Sequence, residues 1–314
     1  MTSSRPARAV HCWTQRSLDG LGGWDPDRHP ARFADAFGHL ILELYVRLRR
    51  RGRDLTIGPE APDGTEVLVV LLEEIVSYDG RLQPDAAGAL AGAARRVPSI
   101  VVVRGDLPLA VSAPSFLTTE VMPNRASIVD TARQRWVPVL AQRGLRPRLR
   151  RRGSSVRTLA CKGFDFNLPS ELRDGSLAEA FAPLGVRVRL DCDPTTWPDF
   201  RRIDVALCAR RHNDAWDDPR HLRKPATKLV NAWVGGAIPL VAPQAAYLEL
   251  VRPDQDALVV AHVDEIVESV RRLTTDPELV RRLQQGGAAR AREFSADRVL
   301  DAWEQLFDDD QPAP

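Results

Sequence analysis

Lys224-Pro-Ala-Thr-Lys-Leu-Val-Asn-Ala-Trp-Val-Gly-Gly236 reads as one short helix with an unusual start. Pro225 suits the first helical position, where a missing N–H costs nothing, and Gly235-Gly236 suits the exit. On a 3.6-residue period Ala226, Leu229, Val230 and Trp233 share an apolar face, opposite Lys224, Thr227, Lys228 and Asn231. A helix start carries about half a positive charge and favours acidic residues in its first turn. This first turn instead holds Lys224 and Lys228, with Arg220 and Arg223 upstream and no Ser, Thr, Asp or Asn cap. Such a start is unfavourable until an anion docks, and helix N-termini beside cations are ready anion sites. Residues 238–241 follow as a short buried strand, then Pro243, then a helix-like stretch through Tyr247 and Glu249.

Outward from this stretch, 314 residues suggest two domains of ordinary size, and 44% hydrophobic with 27% charged residues are globular values. A net charge of +2 is too small for nucleic acid to be the main partner. Arginines cluster at 47–53 and 143–152; a solvated face explains them, and peripheral contact with an acidic membrane surface is the sharper option. Cys12, Cys161, Cys192 and Cys208 have no C-x-x-C spacing and lie in or beside apolar runs, so buried thiols are expected rather than disulfides. The start lacks a hydrophobic signal region, and no apolar run approaches the roughly 18 residues of a membrane helix. A cytoplasmic protein is the expectation.

Along the chain, a first strand at 9–13, a loop at 20–25 and a long helix from about 31 to 51 come first. Residues 66–72 and 99–103 are continuous apolar runs, as in parallel strands covered on both faces, with an Ala-rich helix at 85–96 between them. This alternation predicts an open α/β sheet. The Pro- and Arg-rich stretch ending in Gly153-Ser-Ser reads as a linker. The pattern restarts at Val156, with strands at 186–190 and 203–208 and helices at 264–274 and 277–292. A last helix opens after Ser295.

Two runs carry a family resemblance. "KPATKLVNAWVGGAIPLVAPQAAYLELVRPDQDALVV", from Lys224, resembles the donor-site half of glycosyltransferases with the GT-B fold. "VRRLTTDPELVRRLQQGGAARAREFSADRVLDAWEQLF", from Val270, resembles the C-terminal helices of that group. The resemblance implies an α/β protein of two Rossmann-like domains facing a cleft: residues 1–145 for the acceptor, 155–295 for the nucleotide-sugar donor, and a terminal helix at 296–307 able to pack back on the first domain. Glu249 matches the glutamate of the Gly-x-x-Glu-hydrophobic segment in the family's next helix. Many retaining members carry two glutamates separated by seven residues, the second directly before the Ala of the central helix. Asn231 precedes Ala232 here, and Arg223 stands eight positions earlier, so both acids are missing. Retention or inversion is therefore left open.

Other residues join the candidate sites. Gly20-x-Gly22-Gly23 and Trp24 follow the first strand, but a third glycine is missing for a dinucleotide fingerprint, which demotes a nicotinamide dehydrogenase. Lys162 and Gly163 follow the second domain's first strand, and Arg210 and Arg211 follow a later one, where ligands bind in open α/β sheets. With Lys224 and Lys228 they form the expected diphosphate set, while Asn231, Tyr247 and Glu249 are expected on the nucleoside or sugar. Asp25-Pro-Asp27, Asp191-Cys-Asp193 and Asp254-Gln-Asp256 read as chance Asp-x-Asp pairs, so no metal and no cofactor beyond the nucleotide-sugar co-substrate are expected. The histidines, His212 among them, show no metal-ligand spacing. His11 reads as a structural histidine or as a base acting on an acceptor hydroxyl, and Glu73 and Glu74, ending the third strand, are equal candidates for that base. The reading is sugar transfer to an unidentified acceptor; the alternatives are a nucleotide-sugar epimerase of the same fold or a non-catalytic binding or scaffold protein.

Overall fold

The computed structural model describes residues 7–168, 170–210 and 219–309. Arg211, His212 and the side chain of Arg220 lie outside the described residues. The chain divides into two compact units, Met1–Pro138 with Val299–Pro314, and Val139–Arg298.

Among the described residues of the first unit, β1 (Val10–Trp13), β2 (Leu55–Gly58), β3 (Val67–Leu71), β4 (Ser99–Val103), β5 (Thr119–Met122) and β6 (Gln134–Trp136) form one sheet. Its order is β2-β1-β3-β4-β5-β6 and every pairing is parallel. All five residues of β3 are buried, which explains its unbroken apolar run: both faces are covered. The helix expected from 31 to 51 is broken. Pro30–Phe33 is a 3-10 turn, and Gly38–Leu42 is a π-helical turn running into α1 (Glu43–Arg50). Asp35 Oδ1 accepts from the Gly38 N–H at 2.7 Å and so caps a new start inside the apolar stripe. The Ala-rich helix is α2 (Pro84–Ala94), whose Leu90 packs with Trp13, Leu68 and Ile100 in one core.

The second unit's sheet, again among described residues, consists of β7 (Thr158–Lys162), β8 (Arg187–Asp191), β9 (Val205–Cys208), β10 (Ile238–Val241) and β11 (Leu258–Val259). It runs β11-β10-β9-β7-β8, all parallel. Helices α3 (Ser170–Arg173), α4 (Ser176–Phe181), α5 (Thr227–Val234), α6 (Ala245–Leu248), α7 (Val263–Thr275) and α8 (Pro277–Glu293) accompany it. The central helix, α5, starts two residues later than Pro225 would set it, because a 3-10 turn at Pro219–Arg223 precedes it. Lys224 therefore lies ahead of the helix, and Lys228 alone stands in the first turn. Leu229, Val230 and Trp233 are buried as the periodicity requires, and Trp233 Nε1 donates to Asp256 O at 2.9 Å.

The arginine-rich stretch is not a linker. Residues 139–155 belong to the second unit, where Arg146 N donates to Pro198 O and Arg148 N to Gly235 O, both at 2.8 Å. Their anchor is Asp204, 1% exposed. It accepts from Arg148 Nε at 2.9 Å, from both Arg152 nitrogens, and from the N–H groups of Arg157 and Thr158 at 2.9 and 3.0 Å.

The other cluster is also spoken for. The last helix, α9 (Ala296–Asp308), brings Asp301 to Arg51 at 2.6 Å and Asp308 to Arg53 at 2.6 Å. Arg47 pairs with Glu43 and Asp27, and Arg50 with Asp25. These arginines hold the first unit together. No helix among the described residues is long and apolar enough to cross a membrane. All four cysteines are free, and Cys12, Cys161 and Cys208 are buried.

Burial pushes the Asp204 carboxyl up, but its bonds from Arg152 and Arg157 and the charge of Arg148 outweigh that and hold it below the ordinary carboxylate value. A depressed native pKa gives stability that is present above the unfolded-state pKa and lost as pH falls through the native one. Asp204→Ala removes the shared acceptor and leaves two arginines uncompensated, so denaturant unfolding should show a loss of about 3–5 kcal/mol at neutral pH. That difference should shrink below about pH 4, where Asp204 begins to be protonated in the unfolded wild-type chain.

Candidate functional site

A parallel sheet ordered second-first-third has a switch point between its first and third strands, and ligands bind there, outside the carboxyl ends. In the second unit that point lies between β7 and β9. Gly163 follows β7, Ala209 and Arg210 follow β9, and Lys228 enters from the first turn of α5. Lys228 Nζ donates to Ala209 O at 3.0 Å. It lies only 3.1 Å from where a Cβ on Gly163 would be, and Gly163 has φ +152°. Glycine suits the backbone angle there, and a Cβ would push the ammonium back by a few tenths of an ångström. Arg210 donates to Gln244 Oε1 at 3.4 Å and Pro225 O at 3.3 Å, and lies 5.7 Å from the centroid of the Tyr247 ring. Tyr247 Oη is buried with no hydrogen-bond partner among the described residues.

The partners of these cations decide what the site is for. Lys162 is neutralised by Asp191, Arg104 by Glu120, and Arg148 and Arg152 by Asp204. Among the described residues, Lys228 and Arg210 have only neutral oxygens as partners. Burial lowers the pKa of the Lys228 ammonium, and the Arg210 charge adds to that. Desolvated cations without counter-charge are costly, and a bound anion relieves the cost.

Two expected donor contacts are corrected. Lys162 Nζ is consumed by Asp191 Oδ2 at 2.6 Å and by Thr196 O and Asp199 O at 3.1 Å each, so it braces the sheet edge. Asn231 is committed at both ends of its amide: Oδ1 accepts from Gln142 N at 2.7 Å and Nδ2 donates to Gln142 Oε1 at 3.2 Å. Glu249 sits at the C-cap of α6 rather than at its start, half-buried, and both it and Lys224 engage neighbours. Gln244, which the sequence reading missed, holds Arg210 from both ends, its Nε2 donating to Arg210 O at 3.1 Å. Its signal was positional: it is the N-cap of the helix after β10.

The Asp-x-Asp carboxylates are occupied. Asp191 holds Lys162 and Arg189, Asp193 accepts from Thr195 N, Asp25 holds Arg50 and Asp27 holds Arg47. Asp254 pairs with Arg272, and Asp256 accepts from Arg252 N. No group of three His, Cys, Asp or Glu residues among the described ones is arranged to hold a metal.

The first unit has its own switch point, between β1 and β3. An open pocket there is lined by Trp13, Gln15, Arg16, Glu73, Glu74 and Gln83. Glu73 Oε1 accepts from Asp106 N at 2.6 Å and Oε2 from Gly105 N at 3.2 Å. A Cβ on Gly105 would lie 2.1 Å from that carboxylate, so only glycine admits it. Burial raises the Glu73 pKa, against the opposing backbone N–H bonds. Glu74 is already bound to Thr14 Oγ1 at 2.6 Å and Arg16 Nε at 2.7 Å. His11 is no base: buried in the sheet, it bonds Thr56 Oγ1 at 2.8 Å and Gly58 O at 2.9 Å, using both ring nitrogens. Gly22 and Gly23 lie in an exposed 3-10 turn where a Cβ would touch nothing, and Trp24 packs edge-on against Phe33 with Arg32 over its ring. Neither glycine shows the close approach expected of a phosphate loop.

No protein-family model and no curated protein matches the sequence. Among solved structures, TarM of S. aureus superposes with a TM-score of 0.51 at 7% identity, over 77% of this chain and 55% of its own. The chain thus spans about half of TarM. HepE of Anabaena, in complex with UDP and glucose, gives 0.51 at 11% over 95% and 99%. AviGT4, a glycosyltransferase involved in avilamycin A biosynthesis, gives 0.54 at 13% over 96% and 97%. The chain has the two-sheet α/β fold of GT-B glycosyltransferases.

Because Lys228 is a half-buried cation with no carboxylate partner among the described residues, Lys228→Met should leave thermal stability unchanged or raise it. The same change should weaken pyrophosphate binding at least about tenfold, the scale of one charge-assisted bond. Calorimetric titration and thermal unfolding of the one variant check both.

Proposed function

We propose that this chain transfers a sugar, of hexose type, from a nucleotide-diphosphate donor to an acceptor hydroxyl without a metal ion. The observation that carries the reading is the Lys228–Arg210 pair, half-buried and, among the described residues, without carboxylate partners at the switch point of the second sheet. UDP in complex with HepE, a protein of the same fold, supports a nucleotide diphosphate as the anion.

In this reaction the bond between the sugar's anomeric carbon and the diphosphate oxygen breaks, and a bond to the acceptor oxygen forms. The electron pair of the broken bond stays on the diphosphate. Lys228 and Arg210 stabilise that charge as it develops, in a site where water screens it poorly. Fixed cations do the work that a divalent metal does elsewhere. Glu73 is the favoured base for the acceptor proton, because its raised pKa keeps it basic enough and its pocket is open. Tyr247, whose buried hydroxyl has no hydrogen-bond partner among the described residues, and Glu249 are the candidates for the nucleoside. Lys224 adds charge at the rim.

Activity should survive EDTA. Glu73→Gln should abolish transfer while leaving UDP affinity within about twofold, since it removes the base and not the anion site. In the wild type, kcat/KM should fall on the acid side as Glu73 is protonated, with its midpoint above the ordinary carboxylate value because burial raises that group. Loss of activity in EDTA with rescue by manganese would overturn the metal-free reading. Conversion of a sugar nucleotide to its epimer without any acceptor would replace transfer by epimerisation.

A further inference from the structure

Immediately after Gly163 the chain does something that folding does not require. Phe164 and Phe166 are 45% and 69% exposed, although Leu168 just beyond them is buried in the core. Their rings are stacked, 5.5 Å between centroids and 6° from parallel. Trp197 meets the Phe164 ring edge-on at 5.0 Å and is itself pinned by Nε1 donating to Asp191 O at 2.7 Å. Gly163 N donates to the same carbonyl at 3.1 Å. Phe164, on which Phe166 stacks, is therefore buttressed on the backbone that carries the Lys228 contact, one residue from it, about 3.8 Å along the Cα trace.

We propose that Phe164 and Phe166 form a stacking platform for the nucleobase of a nucleoside diphosphate whose phosphates lie on Lys228 and Arg210. This rests on the anion-site reading above and extends it to the base. Exposed, parallel, buttressed phenyl faces are costly in water unless something planar covers them, and every nucleobase has such a face. Two rings are far too small for a stable protein interface, which needs about 800 Å² from each partner. They match one base. Continuity with the cation pair selects a ligand that carries a planar ring and a diphosphate in one molecule.

The test titrates pyrophosphate, UDP and ADP into the wild type and into Phe166→Ala and Phe166→Trp, with thermal unfolding to confirm that each variant is folded. The wild type should bind both nucleotides more tightly than pyrophosphate. Phe166→Ala should weaken UDP and ADP by roughly tenfold and leave pyrophosphate unchanged, and Phe166→Trp should retain the nucleotide affinity. Unchanged nucleotide affinity in Phe166→Ala, or equal losses for nucleotides and pyrophosphate, would overturn the platform while leaving the anion site standing. Failure of the wild type to bind any of the three would overturn both.

Discussion

A half-buried ammonium with no counter-charge among the described residues is the constraint around which the second unit is arranged. Lys228 could have been neutralised as Lys162 is, by a carboxylate 2.6 Å away. Instead it leans on a carbonyl oxygen and on the bare backbone of Gly163, with Arg210 as a second cation beside it. Folding alone selects against this, since burying unpaired charge is among the costlier things a chain can do. The neighbouring architecture makes sense as support for it: Gln244 fixes Arg210, Gly163 opens the space, and β7 and β9 place both at the sheet's switch point.

Several other charges show the opposite habit. Asp204 gathers Arg148 and Arg152, and the acids of α9 gather Arg51 and Arg53. Against that background of matched pairs, an unmatched pair is informative. A similar contrast marks the first unit, where Glu74 is bound to Arg16 while Glu73 is held only by backbone N–H groups and opens on a pocket.

Much of the fold was legible because parallel strands buried on both faces leave unbroken apolar runs, and β3, β4 and β10 are such runs. The position of Lys228 and Arg210 at the sheet's carboxyl end was legible for a related reason: a strand's end and a helix's first turn fix where their side chains start. Lys162, Asn231 and the Arg-rich segment were misread because their partners lie far away in sequence. Asn231 is consumed by Gln142, 89 residues earlier, and Arg152 by Asp204, 52 residues later. The structural reading of His11 holds, but alternation along β1 says nothing of the neighbouring β2 hydroxyl that takes its ring nitrogen. The break at Gly38 was hidden because Asp35 caps a helix in the middle of a continuous apolar stripe.

A crystal structure with UDP bound tests the central claim most directly. The account predicts diphosphate oxygens within hydrogen-bond distance of both Lys228 Nζ and the Arg210 guanidinium, over the backbone of Gly163. A nucleotide bound elsewhere, with Lys228 still held only by Ala209 O, would contradict it.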